Sequence, residues 1–255
     1  MTNGGLGRIF GVRLDDLGST DELRARCAGY LDGDRPHRIF TPNPEILLRA
    51  RGDRAYAAVL NTADLALPDG TGVALVGSVR ARRRIRRWPG VDVGATLIRL
   101  GADRDVGVAF FGGPDGAARS AAARWRARLP SARIAAIGAG APIAEDGRAT
   151  SPVDDVRLLD ELRAVEPAIV LVGLGSPKQE RWIAEHADKV PTARIVIGVG
   201  GAFDMWAGRL RRAPRAVRRI GMEWAWRLAL EPSRLPRILR ATVVFPIRAL
   251  TDPGR

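Results

Sequence analysis

Asp69 follows a short apolar run, Leu65–Pro68, and opens an Asp69-Gly70 turn. An earlier strand-like run, Arg38–Thr41, ends in Thr41-Pro42-Asn43-Pro44, so a hydroxyl and an amide stand where they can share a cleft with that carboxylate. A carboxylate so placed is suited to take the proton of an attacking hydroxyl as a general base. An Asp-Gly pair is more often an ordinary turn, and it is the company of Thr41 and Asn43 that raises the functional reading. Asp64, Asp92 and Asp204 are the competing acids; Asp64 reads as a turn or helix-end residue and Asp92 as a first-turn residue after Pro89-Gly90.

Three glycine-rich turns add candidate ligand contacts: Phe110–Gly116 with Gly112 and Gly113, Gly173–Glu180 with Gly175 and Gln179, and Gly198–Asp204. Each lets backbone approach a ligand closely, and a helix N-terminus behind such a turn favours an anion. One turn alone is as readily a tight connection. Three at one sheet edge point to a nucleotide cleft, where Gln179 is suited to read a base or a sugar. The run Arg82–Arg87 is mostly solvated surface, with one arginine beside Pro89-Gly90 suited to grip a diphosphate through guanidinium geometry.

These groups must be held by regular elements, and the hydropathy pattern supplies them. Strand-like runs at Ile9–Val12, Arg38–Thr41, Leu65–Pro68, Val106–Phe111, Arg133–Ile137, Ala168–Leu174 and Ala193–Val199 alternate with helical stretches. Pro44–Leu60 reads as one helix, and further helices fall at Thr71–Val79, Gly90–Leu100, Val153–Val165 and up to His186. Nearly continuous apolar strands separated by helices predict an α/β fold: a Rossmann-like, mostly parallel sheet covered on both faces. After Pro214 the pattern is helical only, over Arg215–Leu230 and Ser233–Leu250. The expected division is a core at 1–208 and an Arg/Trp-rich helical appendage at 209–255.

The composition narrows the chemistry. Of 255 residues, 46% are hydrophobic, enough for a sizeable core. Cys27 is the only cysteine and His37 and His186 the only histidines, so neither a disulfide nor a Cys- or His-based metal site is expected, and no cofactor is implied. The formal net charge is +13, and Arg209–Arg240 holds ten arginines against Glu223 and Glu231. Such a segment points to a polyanion: nucleic acid, anionic lipid or a diphosphate. No apolar run approaches the roughly 18–20 residues that span a bilayer, and nothing near Met1 reads as a signal peptide. A cytoplasmic or peripheral location is expected.

The ordered motifs carry a more specific signal. They run from Thr41-Pro42-Asn43-Pro44-Glu45 through Asn61–Leu65, Pro68-Asp69-Gly70, Pro89-Gly90-Val91-Asp92, Gly173–Trp182 and Gly200–Asp204. Arg212-Ala213-Pro214, Glu223–Leu228 and Glu231–Leu235 complete the set. Together they resemble the WecG/TagA/CpsF glycosyltransferase family over roughly residues 9 to 240. That resemblance implies inverting transfer with no obligatory metal. It implies a UDP-sugar donor, chiefly UDP-N-acetylmannosamine or its uronic acid and in some branches UDP-glucose or UDP-glucuronate. It also implies an acceptor sugar on polyprenyl diphosphate, in cell-surface polysaccharide or teichoic-acid-type synthesis. Asp69 then takes the role of general base, Thr41 and Asn43 line the pocket, and Arg87 and Gln179 match active-site positions. Arg227, Arg234 and Arg237 resemble the arginines of the family's membrane-targeting appendage, which closes over the site and helps hold diphosphate.

The Arg/Trp composition fits an interfacial segment on an anionic membrane, with Trp224, Trp226 and Leu235 on its apolar side; alternatively the tryptophans pack on the core. Trp88 stands where the family more usually has a small aliphatic residue. A homo-oligomer is compatible with the basic face. Two rivals from other classes fare worse. A nicotinamide oxidoreductase needs a G-x-G-x-x-G turn after its first strand, and Val12-Arg13-Leu14-Asp15 has none. A nucleic-acid-binding module rests on charge alone, without a reader motif.

Overall fold

The structure is a computed structural model and describes residues 6–114, 116–138, 143–214, 216–217 and 221–252, without the side chains of Arg227 and Arg234. It opens with a correction to the expected strand at Ile9–Val12. Phe10 and Gly11 have φ of 52° and 78°, and this two-residue turn with both φ values positive folds the segment into a hairpin. Strands β1 (Gly7–Ile9) and β2 (Val12–Leu14) pair antiparallel, Ile9 opposite Val12.

Six strands build the main sheet: β3 (His37–Phe40), β4 (Leu65–Ala66), β5 (Val108–Phe111), β6 (Ile134–Ile137), β7 (Ile169–Val172) and β8 (Ile195–Gly198). Their order is β4-β3-β8-β7-β5-β6 and every pairing is parallel. Residues alternate between faces, so the two faces carry separate cores. Phe111, Val170, Val172 and Val196 share one core with α2 (Pro44–Gly52), α3 (Arg54–Leu60), α4 (Thr71–Ala81), α7 (Pro152–Ala164) and α8 (Lys178–His186). Phe110, Ile169, Leu171, Ile195 and Ile197 share the other with α1 (Thr20–Leu31), α5 (Gly90–Asp103), α6 (Ala117–Arg128) and α9 (Ala202–Trp206). The mixed α/β architecture with helices on both faces is the expected one.

Two local departures have clear causes. The helix read at Pro44–Leu60 is two helices, because Asp53 is extended (φ −131°, ψ 97°) and its side chain accepts the Tyr56 N–H at 2.9 Å. One residue therefore ends α2 and caps α3. Helix α1, for which the sequence pattern offered only Cys27 as a helix-packing residue and no bounds, is entered through Ser19, whose hydroxyl accepts the Glu22 N–H while Glu22 accepts the Gly18 N–H.

The C-terminal region is helical, as expected. Helix α10 (Glu223–Leu230) and a 3-10 turn (Pro232–Arg234) lead into one rod made of α11 (Leu235–Leu239), a π-helical turn (Arg240–Val244) and α12 (Phe245–Thr251). Phe245 and Ala249 are fully buried in the core that α2 and α4 share. Gly72 of α4 allows this close approach, since a Cβ there would lie 2.8 Å from the Ala241 carbonyl oxygen.

Candidate active site

The carboxyl ends of β3, β4, β7 and β8 open into one cavity of about 570 Å³. Ligands of open parallel sheets bind at this edge. Thr41 and Asn43 follow β3, Asp69 follows β4, Gly175 and Gln179 follow β7, and Gly198–Ala202 closes β8; all line the cavity. The C-terminal segment roofs it with Glu223, Trp224, Arg237, Ile238, Ala241 and Thr242.

Asp69 is pinned by its surroundings. Its N–H donates to the Pro42 carbonyl at 3.0 Å, and the neighbouring Trp88 N–H donates to Pro68 at 2.8 Å. Burial against the cavity floor pushes its pKa up to about 6; Arg87 counters this, Glu223 adds to it, and the N–H groups of Gly70 and Gly90 pull it back down. A carboxylic acid that titrates near 6 is poised to accept a proton at neutral pH. The competing acids are otherwise engaged. Asp64 bonds Arg35 at 2.6 Å and the Arg38 N–H at 2.8 Å; burial works against its charge, but these bonds outweigh it and hold its pKa below the usual range. Asp92 is clamped by both Arg212 nitrogens at 2.6 Å, and Asp204 faces Arg209 at 3.8 Å. Of these four acids, Asp69 alone lines the cavity.

Asn43 has a double use. Its Oδ1 caps α2, accepting the N–H groups of Glu45 and Ile46 at 3.0 Å each, which turns the amide nitrogen to the opposite side. Thr41 Oγ1 fits beside the bare α-carbon of Gly90, where a Cβ would approach it to 2.9 Å. In the basic run, Arg82, Arg83, Arg84 and Arg86 are exposed while Arg87 alone turns into the cavity. Trp88 faces the core, its indole N–H donating to Leu17 and Arg86 stacked 4.4 Å over its ring.

Gly112 and Gly113 are not among the cavity-lining residues; their turn packs behind the β7 loop, against Leu174 and Phe203, with little room for a Cβ at either. Asp115 of that turn lies outside the described residues, as do the side chains of Arg227 and Arg234. Arg237 reaches the cavity rim and is held by Glu45 through two bonds of 2.9 and 2.6 Å. Trp224 lines the cavity and Trp226 is half-buried, so these indoles turn inward, while Leu235 is exposed.

Sequence reasoning assigned no role to Glu223, whose carboxylate stands 3.4 Å from Arg87 and 3.8 Å from Arg212. The only trace was its place in the Glu223–Leu228 motif. Among the described residues no group of His, Cys, Asp and Glu side chains is set to hold a metal ion, and no helix is long and apolar enough to cross a membrane.

An all-parallel sheet with a tuned carboxylate and arginines around one cleft at its carboxyl edge has the parts of a group-transfer enzyme acting on an anionic, hydroxyl-bearing substrate pair. The chain belongs to the glycosyl transferase WecG/TagA/CpsF family, whose model matches residues 7–254. It is a glycosyltransferase of that family. Over 211 residues it is 33% identical to an N-acetylglucosaminyldiphosphoundecaprenol N-acetyl-beta-D-mannosaminyltransferase of Bacillus spizizenii, covering 82% of this chain and 77% of the relative. A Bacillus subtilis protein of the same name is 31% identical over 211 residues, covering 82% and 78%. One from Staphylococcus aureus is 26% identical over 200 residues, covering 78% and 74%.

Proposed function

We propose that the protein transfers N-acetylmannosamine from its UDP-linked donor to N-acetylglucosamine on a polyprenyl diphosphate, with inversion at the anomeric carbon, in the synthesis of a cell-surface polymer. The observation that carries this reading is Asp69, the one of the four candidate aspartates that lines the cavity, set among Thr41, Asn43 and Arg87. The names of the relatives supply the sugar and the acceptor.

In this account the acceptor hydroxyl oxygen attacks the anomeric carbon as Asp69 removes its proton, and the bond to the UDP oxygen breaks on the opposite face. The negative charge gathering on the diphosphate is met by guanidinium groups, Arg87 within the cavity and Arg237 at its rim. Arg227 and Arg234 are assigned to the same task from the family resemblance. Gly112 and Gly113 serve by letting Leu174 and Phe203 pack beneath the β7 loop that presents Gly175 and Gln179.

We further propose that the C-terminal rod docks on an anionic membrane from the cytoplasmic side. Leu235, Leu239, Val243, Ile247 and Leu250 recur at intervals of four and three and are 46–58% exposed, with exposed Arg240 and Arg248 beside them. An apolar stripe flanked by arginines suits the boundary of headgroups and acyl chains.

UDP release measured across UDP-N-acetylmannosamine, its uronic acid, UDP-glucose and UDP-glucuronate, with and without polyprenyl-diphosphate-linked N-acetylglucosamine, tests the reading. Acceptor-dependent release with UDP-N-acetylmannosamine in front is the expected result. A preference for UDP-glucose, or release that ignores the acceptor, overturns the donor or the acceptor assignment respectively.

A further inference from the structure

Glu180 is a buried acid that the transfer chemistry leaves without a role. It is 2% exposed, next in sequence to the cavity-lining Gln179. Neutral groups hold it: Tyr56 donates its hydroxyl proton to Oε2 at 2.9 Å, and Gln179 Nε2 donates to Oε1 at 2.7 Å. The Tyr56 hydroxyl also lies 2.8 Å from Ser176 Oγ. Burying a carboxyl group in this way is costly unless its hydrogen bonds are satisfied, so a chain that retains one gains something specific from it.

What it gains is read from the Gln179 amide. Oε1 of Gln179 accepts the Gly200 N–H at 2.9 Å. A backbone N–H only donates and a carboxylate only accepts, so these two partners permit one orientation of the amide and exclude the flipped one. The bare α-carbon of Gly198 makes the room, because a Cβ there would lie 2.7 Å from Nε2. Nε2 carries two protons and Glu180 takes one. Gln179 is 5% exposed and borders the cavity.

We propose that Glu180, held by Tyr56, is a positioning residue that fixes the Gln179 amide so that its second N–H donates into the cavity, to an oxygen acceptor of the bound nucleotide sugar. This rests on the glycosyltransfer reading above and names what the β7 loop contributes to it. Glu180 does not touch the substrate; together with the Gly200 N–H it sets which end of the Gln179 amide the cavity meets.

The test exchanges the two groups. In the double variant Gln179→Glu/Glu180→Gln the carboxylate at 179 still accepts the Gly200 N–H, the amide at 180 still donates to it, and Tyr56 still has an acceptor. The internal network survives while the cavity loses its donor. We expect the thermal midpoint to stay within a few degrees, while UDP affinity or kcat/KM for the sugar donor falls at least about 100-fold, as when a polar site faces a mismatched group. A folded double variant that keeps both quantities overturns the proposal. Tyr56→Phe serves where the exchange does not fold: loss of one buried hydrogen bond from Glu180 should raise KM for the donor about 2- to 10-fold with kcat little changed. An unchanged KM counts against the proposal. The wild-type protein separates the two readings: if it neither binds UDP nor releases it from any donor, glycosyltransfer falls and the proposal with it. An active wild type beside an active exchange variant sinks the proposal alone.

Discussion

The guanidinium of Arg87 lies 3.4 Å from the carboxylate of Glu223, which joins the loop before α5 to the first turn of α10 in the cavity that Asp69 also lines, with both charges acting on Asp69. Arg212, clamped on Asp92, reaches Glu223 from the other side at 3.8 Å. The cation best placed to meet a diphosphate is thus matched by a carboxylate of the chain itself, and that carboxylate also bears on the candidate base.

Two effects follow for Glu223→Gln. Removing a negative charge near Asp69 lowers its pKa, so the acid limb of activity moves to lower pH. Arg87 also loses the Glu223 carboxylate that competes with the diphosphate, and UDP binds about three- to ten-fold more tightly at low salt, equivalent to roughly 0.7–1.4 kcal/mol. Calorimetric titration with UDP and a pH–rate profile check both; weaker UDP binding with an unmoved limb would contradict them.

The wild-type profile has its own expected form. A general base works only when ionised, so kcat/KM falls as the pH drops through about 6, the value to which burial raises Asp69. A profile flat from pH 5 to 8 would remove Asp69 from that role.

Stability responds with the opposite sign. Asp69 has a folded pKa above its ordinary 3.8, so its contribution to stability is fully present below about 4 and is lost as the pH rises through about 6. Asp69→Asn, which never ionises, should melt at a higher temperature than the wild type at pH 8 and at the same temperature at pH 4. Equal midpoints at both pH values would show that the carboxylate is not strained by burial.

Much of this was legible because the fold is periodic where it is buried. Ile169–Val172 and Ile195–Gly198 are buried at every position, and the apolar runs Ala168–Leu174 and Ala193–Val199 that contain them read as strands of a parallel sheet. Asp69, Thr41 and Asn43 were legible as neighbours in one cleft because they follow strand ends at the carboxyl edge of a parallel sheet. Helix α1 left a fainter trace, since only Leu23 and Cys27 are buried along its 12 residues; the Ser19–Glu22 capping pair was the available signal. The hairpin at Phe10-Gly11 was hidden by an apolar residue at positive φ, which sequence patterns rarely mark. Glu223 was unreadable as part of the site because its partner Arg87 lies on a distant stretch of chain, and only the path of the C-terminal segment brings them together.

Membrane docking through the rod makes a separable prediction. Leu239→Ser with Ile247→Ser removes two exposed apolar side chains, each worth roughly 1.5–3 kcal/mol when fully buried. Partial burial at an interface leaves about a 10- to 100-fold loss in binding to anionic vesicles, with turnover of a water-soluble acceptor retained. Unchanged sedimentation with vesicles would place the contact elsewhere.

The most direct test compares wild type and Asp69→Asn for sugar transfer from UDP-N-acetylmannosamine to polyprenyl-diphosphate-linked N-acetylglucosamine, with UDP affinity measured on the same preparations. The account predicts a loss of about 10²- to 10⁴-fold in turnover with UDP affinity retained. Near-normal turnover by the folded Asn variant would contradict it and remove Asp69 as the base.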